Sequence, residues 1–111
     1  EMCIRDRVSM LIRGFLAGNQ CTIEKIAHSL STHPRTLQRR LREEGTSFEA
    51  LKDRIKRKRA ETLLAQPNLT ITDVAFMLGY SETSTFSRKT RDWFGRSPRE
   101  FRKKLISESR L

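Results

Sequence analysis

The chain carries one small unit twice, and this repetition constrains its fold more than any other feature. Ile23-Glu24-Lys25-Ile26-Ala27-His28-Ser29-Leu30 is echoed by Ile71-Thr72-Asp73-Val74-Ala75-Phe76-Met77-Leu78. Leu37-Gln38-Arg39 is echoed by Phe86-Ser87-Arg88, and Gly45-Thr46-Ser47 by Gly95-Arg96-Ser97, the offset drifting from 48 to 50 residues. Self-similarity at a nearly constant period means one supersecondary unit used more than once. Each copy reads as a short helix, a tight turn and a second helix: a helix-turn-helix.

The surrounding sequence reads as further helix. Val8, Leu11, Ile12, Phe15 and Leu16 follow the spacing of one apolar helical stripe, closed by Gly18-Asn19. Thr22 is placed to cap the helix carrying Ile23, Ile26, Ala27 and Leu30. Ser31-Thr32-His33 makes a turn, and Pro34 suits the first position of a helix running to about Glu44, which Gly45 stops. A long helix follows from Phe48 to about Ala65, with Phe48, Leu51, Ile55, Ala60, Leu63 and Leu64 as its apolar positions and Gln66-Pro67-Asn68 as its end. Thr70 and Asp73 form a capping-box pattern before Ile71, Val74, Ala75 and Leu78. Ser81 is the expected cap of a helix ending near Gly95, and Pro98 opens a last helix with Phe101 and Leu105. No alternating segment is long enough for a strand. The expected fold is all-α, about seven helices forming two helix-turn-helix subdomains joined by a long linker helix. The expected boundaries are 1–7 for a disordered or non-native start, 8–50 for the first subdomain, 48–65 for the linker, 70–106 for the second subdomain and 107–111 for a tail.

Rotation at 100° per residue sorts the second helix of each copy into two faces. Leu37 and Leu41 fall together, opposite Arg35, Gln38, Arg39 and Arg42. Phe86 and Trp93 likewise fall opposite Ser84, Ser87, Arg88 and Arg91, each 49 residues after its counterpart. A single polar face of this kind is usually just solvated. Two in matched register after the same apolar signature favour a binding role. The charge agrees: the formal net charge is +10. Residues 35–59 hold ten Lys or Arg against four acids, and residues 88–104 hold eight against Asp92 and Glu100. So basic a chain attracts polyanions, nucleic acid first. Arg makes two hydrogen bonds to guanine and Gln two to adenine, and a helix fits the major groove.

Taken in order, Ile-x-x-Ile-Ala-x-x-Leu, Arg-Thr-Leu-Gln-Arg, Gly-x-Ser, Val-Ala-x-x-Leu-Gly-Tyr-Ser, Phe-Ser-Arg and Gly-x-Ser-Pro-x-x-Phe-Arg resemble the DNA-binding domain of the AraC/XylS family of bacterial transcription regulators, over about residues 8–105. The resemblance implies binding of double-stranded promoter DNA, activation of transcription, and RNA polymerase as a further partner. Base reading is implied for Arg35, Gln38 and Arg39 in the first copy and for Thr83, Ser84, Thr85 and Arg88 in the second, with Arg42, Ser87 and Arg91 on the same faces. It also implies an N-terminal effector domain absent from this fragment. The sequence departs from the family at Lys89-Thr90, where a small residue and Phe are usual, so Thr90 is expected to remove an apolar anchor.

Other readings are weaker. A basic module docking an acidic partner such as an RNA polymerase subunit is the alternative to a DNA reader. Cys21, His28 and His33 match no common zinc spacing, and no nucleophile elbow or phosphate loop is present, so neither cofactor, metal nor enzyme activity is expected. The run Lys56-Arg57-Lys58-Arg59 reads as a solvated face of the linker helix. No apolar run approaches the ~18 residues that span a bilayer, and no signal peptide is apparent, so the expected setting is the cytoplasm, without membrane contact.

Overall fold

A computed structural model describes residues 3–17 and 21–109. Its elements are α1 (Ile4–Phe15), α2 (Ile23–Ser29), α3 (Pro34–Glu43), α4 (Phe48–Leu64), α5 (Ile71–Met77), α6 (Thr83–Phe94) and α7 (Pro98–Ser109), and no strand occurs among the described residues. Local chemistry sets most of the boundaries. The Thr22 side chain accepts a hydrogen bond from Lys25 N at 3.2 Å, Ser47 Oγ one from Ala50 N at 3.1 Å, and His33 Nδ1 one from Arg35 N at 3.3 Å. Thr70 and Asp73 complete a reciprocal capping box at 2.9 and 3.0 Å. Each such cap satisfies N–H groups that the first helical turn leaves without partners.

The ends differ from expectation at three places. The first helix begins at Ile4, not Val8: Ile4 lies one turn before Val8 on the same stripe and is buried, so residues 4–7 are ordered helix rather than a disordered start. The last helix runs through Ser109, which removes 107–109 from the expected tail. Ser81 does not cap α6; Glu82 occupies the cap position and its side chain makes no capping bond. The stop expected at Gly18-Asn19 lies outside the described residues.

Two cores form. Ile4, Val8, Ile12, Leu16, Cys21, Ile26, Ala27, Leu37 and Leu41 bury together with Phe48, Leu51 and Ile55 from the first half of α4. Ala60, Leu63 and Leu64 from its second half bury with Val74, Ala75, Leu78, Phe86 and Phe101. Each core gathers one helix-turn-helix around one half of the shared linker, and the molecule is elongated, 44 × 27 × 22 Å. The turns of the two copies match at the backbone. Ser31 N donates to His28 O and Thr32 N to Ala27 O; Gly79 N donates to Phe76 O and Tyr80 N to Ala75 O. The turn demands a left-handed residue, supplied by Gly79 (φ 90°) in the second copy but by Ser31 (φ 55°) in the first.

Thr90 keeps its place on the inward side of α6. It is fully buried, and its hydroxyl donates to Phe86 O at 2.8 Å, so its one polar group is satisfied within the helix. One turn on, Phe94 stacks on Phe101 with centroids 4.0 Å apart and planes 8° from parallel, and packs against the second core.

Candidate nucleic-acid interface

Burial of Leu37 and Leu41 without any exposure fixes the roll of α3 and turns Arg35, Gln38, Arg39 and Arg42 outward, all exposed. Pro34 and the His33 cap hold the start of this helix. Burial of Phe86 and Thr90 fixes α6 in the same way. There Ser84, Arg88 and Arg91 are exposed, whereas Thr83, Thr85 and Ser87 are half-buried. Among the described residues, none of these ten side chains is tied up in a hydrogen bond or ion pair. The α3 face carries three guanidiniums and a carboxamide; the α6 face carries two guanidiniums among hydroxyls.

The flanking cations are less available than the sequence implies. Lys56, expected on a solvated face, is only 8% exposed, and its ammonium lies 4.0 Å from the centroid of the Tyr80 ring. Burial, with the charge of Lys52 nearby, pushes its pKa down from 10.5 to about 8. Burial also pushes the Tyr80 hydroxyl above its ordinary value. Arg59 donates to Arg13 O at 3.2 Å, tying α4 to α1, and Lys52 donates to Cys21 O at 3.0 Å. Arg102 donates from Nε to Leu64 O at 2.8 Å and so closes the end of α4; its Nη2 is buried without a partner. Lys89 pairs with Asp53 at 2.6 Å, and the same carboxylate accepts from Trp93 Nε1 at 3.1 and 3.2 Å. Partial burial alone would raise the Asp53 pKa, but the bonds from Lys89 and Trp93 and the charges of Lys89 and Lys56 outweigh it and hold the carboxyl below its ordinary range. These hydrogen bonds and the ion pair join residues 31 to 46 positions apart, which no local pattern reveals. The one sequence signal is a lone Trp on an inward face, whose indole N–H seeks an acceptor.

A cleft of about 700 Å³ lies between α1 and α4, and neither α3 nor α6 lines it. Cys21, His28 and His33 do not assemble: among the described residues no cluster of three or more His, Cys, Asp or Glu could hold a metal. No helix among them is long and apolar enough to cross a membrane.

Residues 26–104, more than half of the chain, match the profile of a helix-turn-helix domain family. The chain belongs to the AraC-type helix-turn-helix family. Within that family it is 46% identical over 102 residues to the HTH-type transcriptional regulator VirS of Mycobacterium tuberculosis, an alignment covering 92% of this chain and 30% of VirS. A DNA-binding transcriptional dual regulator from Escherichia coli K-12 superposes with a TM-score of 0.88 at 29% identity, over 96% of both chains. A probable AraC family regulator from Rhodopseudomonas palustris superposes with a TM-score of 0.73 at 27% identity, over 92% of this chain and 96% of that one. The AraC-type DNA-binding domain is therefore the setting of both faces, and these relatives lend no support to a module built for an acidic partner. The chain spans about 30% of the length of VirS.

Proposed function

We propose that the chain reads a bipartite site in double-stranded promoter DNA, with α3 and α6 entering successive major grooves on one side of the duplex. Arg35, Gln38 and Arg39 read base edges from α3; Thr83, Ser84, Thr85 and Arg88 do so from α6. Arg42, Ser87 and Arg91 contact the flanking backbone. Two arginines and a glutamine suit bidentate recognition, whereas the hydroxyls of α6 read bases weakly and also bind phosphate. The first subdomain, α1–α3 with the first half of α4, thus carries more of the base discrimination than the second, α5–α7 with the other half. One observation carries the reading: two unengaged polar-basic faces recur in register on helices whose buried sides enter two cores that share α4. We further propose that the chain serves a longer, cytoplasmic regulator whose additional effector domain governs it, and that the outcome at the promoter is activation through RNA polymerase. The greater length of the relatives supports the additional domain alone.

Selection of bound duplexes from a random pool tests the core of this proposal. The expected product is two short motifs centred about 10–11 base pairs apart, the α3 motif the more sharply defined. Binding to it should weaken steeply with salt yet keep a preference over random duplex. Enrichment of a single motif, or of none, overturns the two-groove reading.

A further inference from the structure

Asp53 belongs to neither reading face, yet it joins the two subdomains. It stands on the half of α4 that buries Phe48, Leu51 and Ile55 in the first core. Its two acceptors, however, are both engaged by α6 in the second. Trp93 Nε1 lies 3.1–3.2 Å from both carboxylate oxygens and Lys89 Nζ 2.6 Å from one of them. Lys89 and Trp93 are one turn apart, and the Lys89 ammonium also lies 5.4 Å from the Trp93 ring centroid. One carboxylate therefore grips two successive turns of α6, on the side away from Ser84, Arg88 and Arg91. Asp53 and Lys89 line a cleft of about 430 Å³ with Lys52, Lys56 and Tyr80, so the grip sits at the joint itself.

The second core attaches to α4 at Ala60, Leu63 and Leu64. At 1.5 Å per residue, Asp53 lies about 15 Å along the helix from Leu63. Lys56 under the Tyr80 ring and Arg57 beside the Phe94 ring add contacts between these points; Asp53 is the attachment of the second body farthest along α4 toward the first core, so its loss shortens the span over which that body is held. We infer that Asp53 is a positioning residue that, through Trp93 and Lys89, fixes the angle and separation of α6 relative to α3 and so sets the half-site spacing the protein accepts. This rests on the two-groove reading above.

The consequence is measurable because DNA spacing is quantised. One inserted base pair moves a half-site by about 3.4 Å and turns it by about 35° around the duplex, more than a rigid bipartite reader can follow. The probes are the duplexes selected by the wild-type chain, and the same duplexes with one base pair added or removed between the motifs. Wild type should lose about a hundredfold in affinity on either change. Asp53→Ala should bind the unaltered duplex within about tenfold of wild type, yet lose less than about tenfold on the spacing change. Asp53→Asn keeps an acceptor for Trp93 but not the ion pair, and should fall between them. Trp93→Phe keeps an aromatic ring while removing the indole N–H; it should relax spacing as well, and it decides the matter if Asp53→Ala does not retain its helical circular dichroism. A merely structural loss would weaken all duplexes alike and leave the spacing ratio at the wild-type value, which would overturn the inference while leaving the two-groove reading intact. A wild-type chain indifferent to spacing would overturn both.

Discussion

The burial of Lys56 makes a prediction whose size and sign both follow from its surroundings. Its ammonium is 8% exposed and rests on the Tyr80 ring rather than in water. In the unfolded chain its pKa is 10.5; in the folded chain burial, chiefly, lowers it to about 8. That difference corresponds to about 3 kcal/mol against the charged folded form. Attraction to the Tyr80 face offsets about 1–2 kcal/mol. Lys56→Met keeps the length and apolar stem while deleting the charge, so at pH 7 it should stabilise the protein by about 1–2 kcal/mol. The pH dependence has a fixed direction. Below about pH 8 both states of the wild type carry the proton and the folded state bears the full penalty. Between about 8 and 10.5 the folded side chain loses its proton before the unfolded one, so wild-type stability rises toward that of the variant. Urea unfolding of both proteins at pH 7, 8.5 and 10 should show the gap closing as pH rises; other titrating groups are common to both and cancel. A variant less stable than wild type at pH 7, with a gap unchanged to pH 10, would refute the reasoning and mean that the ring contact outweighs the cost of burying the charge.

The remaining expectations concern the reading faces, the turns and the core. Arg39→Ala should broaden the selected sequence more than Arg88→Ala does in parallel pool selections; equal or reversed broadening removes the inequality between the two copies. Ser31→Gly should raise the thermal midpoint, since the residue already sits at φ 55°, whereas Gly79→Ala should lower stability by about 1–2 kcal/mol at φ 90°. Equal responses at the two turns would contradict the backbone match between the copies. Thr90→Val should change unfolding free energy by less than about 1 kcal/mol, because a buried methyl replaces a single hydrogen bond. Thr90→Phe should cost about 1–3 kcal/mol by overfilling a closed site. A stabilised Phe variant would mean the site is a void after all.

Features set by near neighbours in the chain are legible in the sequence. Thr22, Pro34 and the Thr70–Asp73 pair mark helix starts because their chemistry acts within one turn, and each buried stripe follows from helical spacing. The seven helices and the roll of α3 and α6 rest on that local information. Ile4 extends the same stripe one turn before Val8, but a single apolar residue that near the first position weighs little by spacing alone. Ser97 and Glu100 form a reciprocal cap at 3.1 and 3.2 Å that the Ser-x-x-Glu spacing advertises, and the bonds from Ser97 hold the Glu100 carboxyl below its ordinary pKa. Long-range cross-links are not legible. That Lys56 is buried, that Asp53 holds Trp93 and Lys89, and that Arg102 closes α4 all depend on which surfaces meet across the fold. A charge count treats those cations as equivalent to Arg39 or Arg88, although their geometry commits them to the scaffold.

The shared linker carries one more consequence. Along α4 the buried apolar positions run Phe48, Leu51, Ile55 and then, after a five-residue step, Ala60, Leu63 and Leu64. At 100° per residue, the two triplets point about 140° apart around the helix. The step is a phase slip, and it makes the linker a protractor: the azimuth of one reader relative to the other is written in the number of residues between Ile55 and Ala60. One residue inserted there would leave both cores and both faces intact, yet swing the second reader by about 100° and advance it by about 1.5 Å. On the two-groove proposal, the length of α4 is therefore answerable to the pitch of the duplex. If the exposed faces read bases as proposed, point substitutions there would retune which bases are read, whereas a single insertion in this stretch would leave two competent readers with no one duplex to share.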